Sequence, residues 1–362
     1  MQNDVIAFLI AAIVKIALML FIILTACAYI VWLERKVIGH IQNRWGPTRV
    51  GPFGLLQPAA DGLKFILKED VIPDNVYRTL YVAAPIISLA VSLVSICIIP
   101  FGDSITVFGY TTPLQITGIA NSSGMAVDIN IGLLIILAVT SVGVYGIALA
   151  GWSSNSKYAL LGSLRASAQL MSYELALGLS LVGVLMLSGS LSLRQIVEHQ
   201  QGGLWHWNLF NGGWQIVAFF IYLMAAYAET NRIPFDLPEA ETELVAGYHT
   251  EYSSMKFAMF FVAEYANMVT VGCLATLLFF GGWNSPFGDL LPAFGGPLVQ
   301  ALIPVLWFAL KVFFFIFLYI WIRGTLPRFR YDQLMSFGWK FLLPLAIANI
   351  VITGFAMALL HQ

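Results

Sequence analysis

The clearest shortage in this sequence is charge. Of its 362 residues 10% are charged, against roughly 25% in soluble domains, while 59% are hydrophobic. A surface with so few charges cannot face water on all sides, which excludes a water-soluble globular domain. The net charge of −1 and the absence of a basic run that could follow phosphates exclude nucleic acid as a partner.

Patterns that bind metals and cofactors are missing as well. The three cysteines are far apart in apolar stretches, and the five histidines lack ligand spacing within one helix, so zinc, haem and iron–sulfur sites are not expected. The sequence contains no phosphate-binding loop, dinucleotide fingerprint or nucleophile elbow. We therefore predict no catalytic residue, metal or redox centre on this chain, and cysteines that are buried, inert thiols.

Long apolar runs dominate what is present. Crossing a bilayer takes roughly 20 apolar residues, and a helix pairs all its backbone polar groups within such a run. The pattern predicts an all-α integral membrane protein whose residues 1–362 form a single transmembrane domain of about eight helices. The predicted spans lie near residues 5–32, 77–100, 129–152, 163–188, 214–230, 256–282, 299–323 and 340–360.

Basic residues are divided unequally between the two sets of loops. Fifteen of the 18 Lys and Arg residues fall in one set or at the span ends beside it, while the other set holds only Arg194; Lys15 and Lys311 lie inside spans. Basic loops stay on the cytoplasmic side. We predict that both termini face outward in a bacterial cytoplasmic (inner) membrane, or in the mitochondrial inner membrane if the protein is organellar.

The first inward loop contains a short amphipathic segment. Gly-Pro pairs at 46–47 and 51–52 force turns, and a helical pattern begins after Pro58. Its apolar residues share one face, while Asp61 and Lys64 share the other. The segment is too short and too charged to span, so we predict an interfacial helix in the first cytoplasmic loop. A surface helix that only anchors the loop is the alternative.

Ionisable residues inside spans are costly and point to ion paths or buried hydrogen bonds. Lys15, Glu174 and Lys311 lie within predicted spans, and Glu264 lies about two turns into the sixth. A lone charge at such a depth costs at least ~2.5 kcal/mol, so each group is neutral, paired or in a wet cavity. The two interpretations of Glu174 are a proton path and a protonated side chain that serves packing.

The inward loop after the fifth span is rich in carboxylates, with one arginine among them. Like charges this close titrate as a coupled group, which suits proton handling. A solvated acidic loop is the alternative, although interspersed apolar residues such as Phe235 and Leu244 disfavour it. The carboxylates of this loop are Glu229, Asp236, Glu239, Glu241, Glu243 and Glu251.

Three stretches resemble a known family. Residues 32–64 contain WLERK, QNRWGP and LQPAADGLK, residues 228–251 begin AETNRIPFDLPE, and residues 261–267 read FVAEYAN. These stretches are similar to the quinone-channel membrane subunit of respiratory complex I, the proton-pumping NADH:quinone oxidoreductase. The resemblance covers essentially the whole chain and implies a component of a translocase enzyme.

The resemblance also implies roles for individual residues. Quinone, either ubiquinone or menaquinone, is the expected substrate and enters from lipid beside the first, interfacial and sixth helices. The charges implied to line its channel are Glu34, Arg35, Asp61 and Lys64. The carboxylates implied to form the proton path are Glu174, Glu229, Asp236, Glu239, Glu241, Glu243, Glu251 and Glu264.

The implied partners are the other complex I subunits: the peripheral-arm quinone-site and iron–sulfur subunits and the small membrane-arm subunits. Membrane lipid is a further partner, and flavin and iron–sulfur clusters are expected on the partner subunits. Two alternatives stay open. One is the related membrane subunit of an ion-pumping hydrogenase; the other is a secondary transporter, which the absence of visible internal repeats disfavours.

Overall fold

A computed structural model describes the helices that these patterns predict. The structure describes residues 2–102, 104–107, 110–115, 119–120, 126–127, 129–211, 213–236, 246–288 and 297–360. The α-helices within these ranges are α1 Gln2–Ile41, α2 Gln57–Leu67, α3 Arg78–Cys97, α4 Gly132–Ser153, α5 Lys157–Ser188, α6 Leu193–Glu198, α7 Gln215–Glu229, α8 Ser254–Phe279, α9 Pro297–Thr325, α10 Tyr331–Phe337 and α11 Leu343–Leu360. A π-helical turn, Gly338–Leu342, joins α10 to α11.

The prediction of an all-α membrane fold is confirmed. In the described part of the chain, seven helical segments are long and apolar enough to cross a membrane. They are α1, α3, α4, α5, α8, α9 and the continuous run from α10 to α11. The remaining predicted span corresponds to α7, which has 15 residues. At 1.5 Å per residue α7 is about 22 Å long, shorter than the roughly 30 Å of hydrocarbon.

The short helix α7 nevertheless runs along its neighbour α5 in the opposite direction. At its start, the Gln215 amide lies against Gly183, near the end of α5. At its end, the carbonyl of Ala228 accepts a hydrogen bond of 2.8 Å from the side chain of Gln169, in the first half of α5. The two helices α5 and α7 are therefore antiparallel.

Several boundaries differ from those predicted. The first helix continues from the predicted end at residue 32 to Ile41, so Glu34 and Arg35 lie on a helix that projects beyond the apolar run. In this extension Arg323 donates to the carboxylate of Glu34 and neutralises its charge. The last helical run begins at Tyr331 rather than near residue 340. Between α3 and α4 the structure has two short β-hairpins, where the sequence predicts a connection without regular secondary structure.

The strands of these hairpins are antiparallel. β1 (Ser104–Val107) pairs with β2 (Tyr110–Pro113), and β3 (Ile119–Ala120) pairs with β4 (Ala126–Val127). Both hairpins belong to the connection between helices α3 and α4.

Aromatic rings fill the space between α7, α8 and α9. Tyr227 of α7 stacks on Tyr319 of α9 with ring centroids 3.7 Å apart. Phe219 contacts both Phe279 and Phe315 edge-on. In a lipid bilayer the hydrophobic effect does not drive helices together, so their association depends on close packing such as this. It holds α7 against the helices that carry the site described below.

Lys311 lies midway along α9. The sequence suggests a carboxylate partner or a side chain reaching the interface, but its ammonium instead donates to the carbonyls of Phe280, Gly282 and Asn284 at 2.7–2.9 Å. It also lies 4.3 Å from the ring centroid of Trp207. These carbonyls follow the end of α8, where helix C-termini favour cations. Lys311 therefore joins α9 to the end of α8.

We predict that Lys311→Met destabilises the protein. The substitution keeps the apolar stem but leaves three carbonyls without a donor, so the midpoint of thermal unfolding in detergent should fall by at least about 5 °C. Lys157→Met, at an exposed lysine, is the matched control and should change the midpoint by less than about 2 °C. Equal midpoints for the two variants would show that the Lys311 contacts do not stabilise the fold.

Candidate functional site: a charged cavity beside buried carboxylates

A tight bend follows α7 and carries the polar residues of the second inward loop. Asn231 adopts a positive φ of 50°, a conformation that asparagine tolerates better than most residues. The backbone N–H of Phe235 donates to the carbonyl of Arg232 at 2.7 Å, which closes the turn. Arg232 and Asp236 are both buried, at 5% and 4% exposure. The bend therefore places charged groups inside the protein.

Arg232 is at the centre of a buried charge cluster. Its guanidinium lies 2.5 Å from Glu264 of α8 and 3.6 Å from Glu34 of α1. It also lies over the ring of Tyr265, 4.1 Å from the centroid, in cation–π geometry. A buried cation needs such partners, because an unpaired one would carry a large desolvation penalty. The pairing fixes the bend against α1 and α8.

Glu34 receives two further donors. The hydroxyl of Tyr265 donates to one carboxylate oxygen at 2.7 Å, and Arg323 at the end of α9 donates to the other. Glu34 is 5% exposed, so these bonds replace the water it loses. One carboxylate thus links α1, α8, α9 and the bend after α7.

Another ion pair lies nearer the surface. Arg35 on α1 contacts Asp61 on α2 at 2.7 Å, and the amide of Gln57 donates to the same carboxylate at 3.0 Å. Lys64 is exposed on α2. The structure therefore brings three of the four predicted channel charges, Glu34, Arg35 and Asp61, to one end of α1, while Lys64 faces outward from α2.

The amphipathic segment forms a helix as predicted, with an exposed apolar face. On α2, Leu63, Ile66 and Leu67 are 58%, 64% and 82% exposed. On its other side, Phe65 contacts Phe257 of α8. The hydroxyl of Ser254 donates to the carbonyl of Phe65 at 2.9 Å. The first and second inward loops therefore lie at the same end of the bundle.

The charge cluster borders a cavity of about 420 Å³, termed here the inward cavity. One part of its wall is charged, and another is aromatic and apolar. Its lining residues are Asn231, Arg232, Ile233, Asp236, Ala246, His249, Thr250, Tyr252, Phe257, Phe261, Glu264, Arg323 and Arg328. Outside the spans, burial raises the pKa of the Tyr252 hydroxyl in this wall to about 12. The mixed wall suits an apolar molecule with a polar head.

A smaller cavity of about 60 Å³, termed the inner cavity, lies deeper between the helices. It contains Glu174 and Glu229, and it shares Asn231 and Glu264 with the wall of the inward cavity. The hydroxyl of Ser141 donates to Glu174. The volume exceeds the roughly 10–15 Å³ that a water molecule needs. Partly buried carboxyl groups thus extend from the charge cluster into the membrane domain.

The predicted carboxylates are distributed between these cavities. Asp236 and Glu264 line the inward cavity, and Glu174 and Glu229 line the inner one. Glu251 lines neither; its backbone carbonyl accepts a 2.6 Å hydrogen bond from Tyr81. The remaining predicted carboxylates lie outside the described residues and are Glu239, Glu241 and Glu243.

Some residues of the site have no role in the sequence interpretation. The sequence interpretation uses Arg323 only as one of the basic residues that set the orientation. In the structure, Arg323 donates to Glu34 and belongs to the charge cluster. Tyr265 lies in the 261–267 motif without an assigned function, and Arg328, which contacts Asp236 at 3.3 Å, lies in a plain loop. The only sequence signal for Arg323 is its position at the end of a span. A basic residue there can either anchor the helix at the membrane surface or pair with a buried carboxylate.

Comparison with known proteins identifies the family. The model of the NADH dehydrogenase family matches residues 14–354. The chain belongs to the NADH dehydrogenase family. A relative from Koribacter versatilis, named as an H-type subunit of NADH-quinone oxidoreductase, is 70% identical over 358 residues, covering 99% of this chain and all of the relative.

Two further members of the family are also similar along nearly their full lengths. The relative from Solibacter usitatus is 50% identical, covering 97% of this chain and 98% of its own. The relative from Geobacter sulfurreducens is 52% identical, covering 97% and 96%. Both are likewise named as H-type subunits of NADH-quinone oxidoreductase. The resemblance drawn from the two inward loops is thereby confirmed.

We predict strong energetic coupling between Glu34 and Arg323. Either single variant, Glu34→Gln or Arg323→Gln, breaks this pair and should destabilise the protein by about 1–3 kcal/mol, because Tyr265 and Arg232 still contact position 34 and Arg323 is only partly buried. The double variant should be less destabilised than the sum, since neither charge remains unpaired. Thermal and denaturant unfolding in detergent measure these differences.

The exposed pair Arg35→Gln and Asp61→Asn provides the control cycle. Its coupling should stay below about 1 kcal/mol, because water screens the pair. Additive effects in the buried cycle would contradict the assignment of Glu34 as the carboxylate that holds the cluster together.

Proposed function

We propose that the chain is a membrane subunit of a proton-translocating NADH-quinone oxidoreductase, where it forms the quinone access channel and couples quinone reduction to proton movement. The names of the full-length relatives support the enzyme assignment. One structural observation carries the mechanistic part: the inward cavity and the inner cavity share Asn231 and Glu264. A substrate in the first is thus next to carboxyl groups that lead away from it.

The inward cavity has the properties that a quinone headgroup requires. Its volume of about 420 Å³ lies within the range of small-molecule pockets. Aromatic side chains such as Phe257 and Phe261 offer stacking surfaces, and Arg232 and Arg323 place positive charge on another part of the wall. We place the entrance beside α1, α2 and α8, where α2 presents apolar side chains outward. An isoprenoid tail remains in lipid while the headgroup reaches the charged wall.

Quinone reduction changes charge where the cluster can respond. NADH, one proton and quinone give NAD⁺ and quinol, so two electrons and two protons arrive at the headgroup. Negative charge that develops before protonation attracts Arg232 and weakens its pairing with Glu264. Glu264 then binds a proton more readily, and proton shifts follow through Glu229 and Glu174. The arrangement couples a charge change in one cavity to protonation in the next.

The partners and the setting follow from the same proposal. Electrons come from flavin and iron–sulfur clusters on peripheral-arm subunits, and the quinone, ubiquinone or menaquinone, is a substrate. Both inward loops face these subunits on the cytoplasmic side of a bacterial membrane, with both termini outward. Small membrane-arm subunits and lipid surround the helices. The common position of the two inward loops, and the larger number of Lys and Arg residues in the set of loops to which they belong, support this orientation.

We predict that Glu174→Gln lowers coupled NADH:quinone turnover by at least about tenfold while the complex still assembles, because a protonatable group is lost and its volume is kept. Turnover and proton pumping are measured in proteoliposomes. Glu198→Gln, at an exposed carboxylate paired with Arg194, is the control and should retain wild-type turnover. Unchanged turnover and pumping in the Glu174 variant would contradict a role in the proton path.

The assignment to this enzyme complex has its own test. Purification of the tagged chain in mild detergent should recover the flavin and iron–sulfur subunits of an NADH dehydrogenase in fixed ratio, together with NADH:quinone activity. Recovery of nickel–iron hydrogenase subunits, or of the chain alone, would overturn the assignment.

A further inference from the structure

Gln169 occupies an unusual position on α5. Its side chain is fully buried, five residues before Glu174 and about 7.5 Å from it along the helix axis. Its amide nitrogen lies within hydrogen-bond distance of three oxygen atoms of the bend after α7. They belong to the carbonyl of Ala228 at 2.8 Å, the side chain of Asn231 at 3.2 Å and the carbonyl of Phe235 at 2.9 Å.

These acceptors bracket the bend. Ala228 belongs to the last turn of α7, where backbone carbonyls lack partners within the helix. Phe235 lies seven residues later, directly before Asp236. The positive φ of Asn231 brings these positions together. One amide group therefore closes the bend from both sides and attaches it to α5.

The bend contains groups from both cavities. Arg232 and Asp236 line the inward cavity, while Glu229 lines the inner cavity together with Glu174 of α5. Resting on the proposed function, we infer that Gln169 is a positioning residue that connects the charge cluster at the quinone cavity to the helix carrying Glu174. A displacement of the bend when Arg232 changes partner reaches α5 through the Gln169 amide.

The role depends on the N–H donors of Gln169. The amide oxygen is buried and has no hydrogen-bond partner among the described residues, whereas the nitrogen faces three acceptors. A side chain of similar volume without these donors would fill the space, leave the carbonyl of Phe235 without the Gln169 donor, and leave that of Ala228 with only the longer bond of 3.4 Å from the backbone N–H of Asn231. Unpaired buried carbonyls are costly, so the bend would move away from α5 toward other donors or water.

Two variants separate donation from packing. Gln169→Met keeps the volume and removes both donors; it should lower coupled NADH:quinone turnover and the protons pumped per NADH by at least about threefold at every pH. Gln169→Glu donates one hydrogen bond when its carboxyl is protonated and none when it is ionised. Its turnover relative to wild type should therefore increase at least about threefold between pH 8 and pH 6.

Gln215→Met is the matched control. Gln215 is also fully buried and bonded, to Thr353 at 3.3 Å, but it lies at the other end of α7 and borders neither cavity. This variant should reduce the thermal midpoint while keeping the wild-type ratio of protons to NADH and the wild-type pH profile.

The outcomes distinguish this inference from the proposed function. All variants are assayed in the purified complex, and NADH:ferricyanide reduction by its partner subunits normalises the amount of assembled enzyme. If the wild-type complex reduces no quinone, the proposed function fails. If it does, but the Gln169 variants have the pumping ratio and pH profile of Gln215→Met, then Gln169 serves packing alone and the inference is overturned.

Discussion

The arrangement of the site depends on one buried arginine. Arg232 lies on a bend with almost no access to water, so its charge requires neighbouring carboxylates. Glu264 and Glu34 provide them from two helices that are far apart in the sequence. The requirement that this charge be paired determines how the bend, α1 and α8 meet, and Arg323 adds α9 through Glu34.

The same pairing makes the cluster responsive. A buried ion pair is held by the balance between two large terms, desolvation and attraction, so a new charge nearby shifts it more than it would shift an exposed pair. Glu264 belongs to the pair and also to the wall of the inner cavity. Under the proposed function, a charge change in the inward cavity is therefore transmitted to carboxyl groups inside the membrane domain.

The sequence allowed much of this to be predicted, though unevenly. Apolar runs identify the helices, and the amphipathic pattern after Pro58 identifies α2. Glu174 and Glu264 stand out because carboxyls are costly in a span. Arg232 and Arg323 do not stand out, because a basic residue at the inward end of a span fits simple anchoring equally well. The existence of the helices was easier to predict than their lengths. Helix α1, for example, continues beyond its apolar run, where ion-pair partners neutralise the charges of Glu34 and Arg35.

The sequence by itself determined which segments avoid water, how charge is divided between the two ends of the bundle, and which motifs the chain shares with its family. Only the tertiary structure decided which charges pair, that Lys311 bonds to carbonyls rather than to a carboxylate, and that two cavities share Glu264. The physical reason is range. Partition into lipid is a property of each segment, whereas ion pairing and cavity formation depend on atoms a few ångströms apart that belong to distant segments.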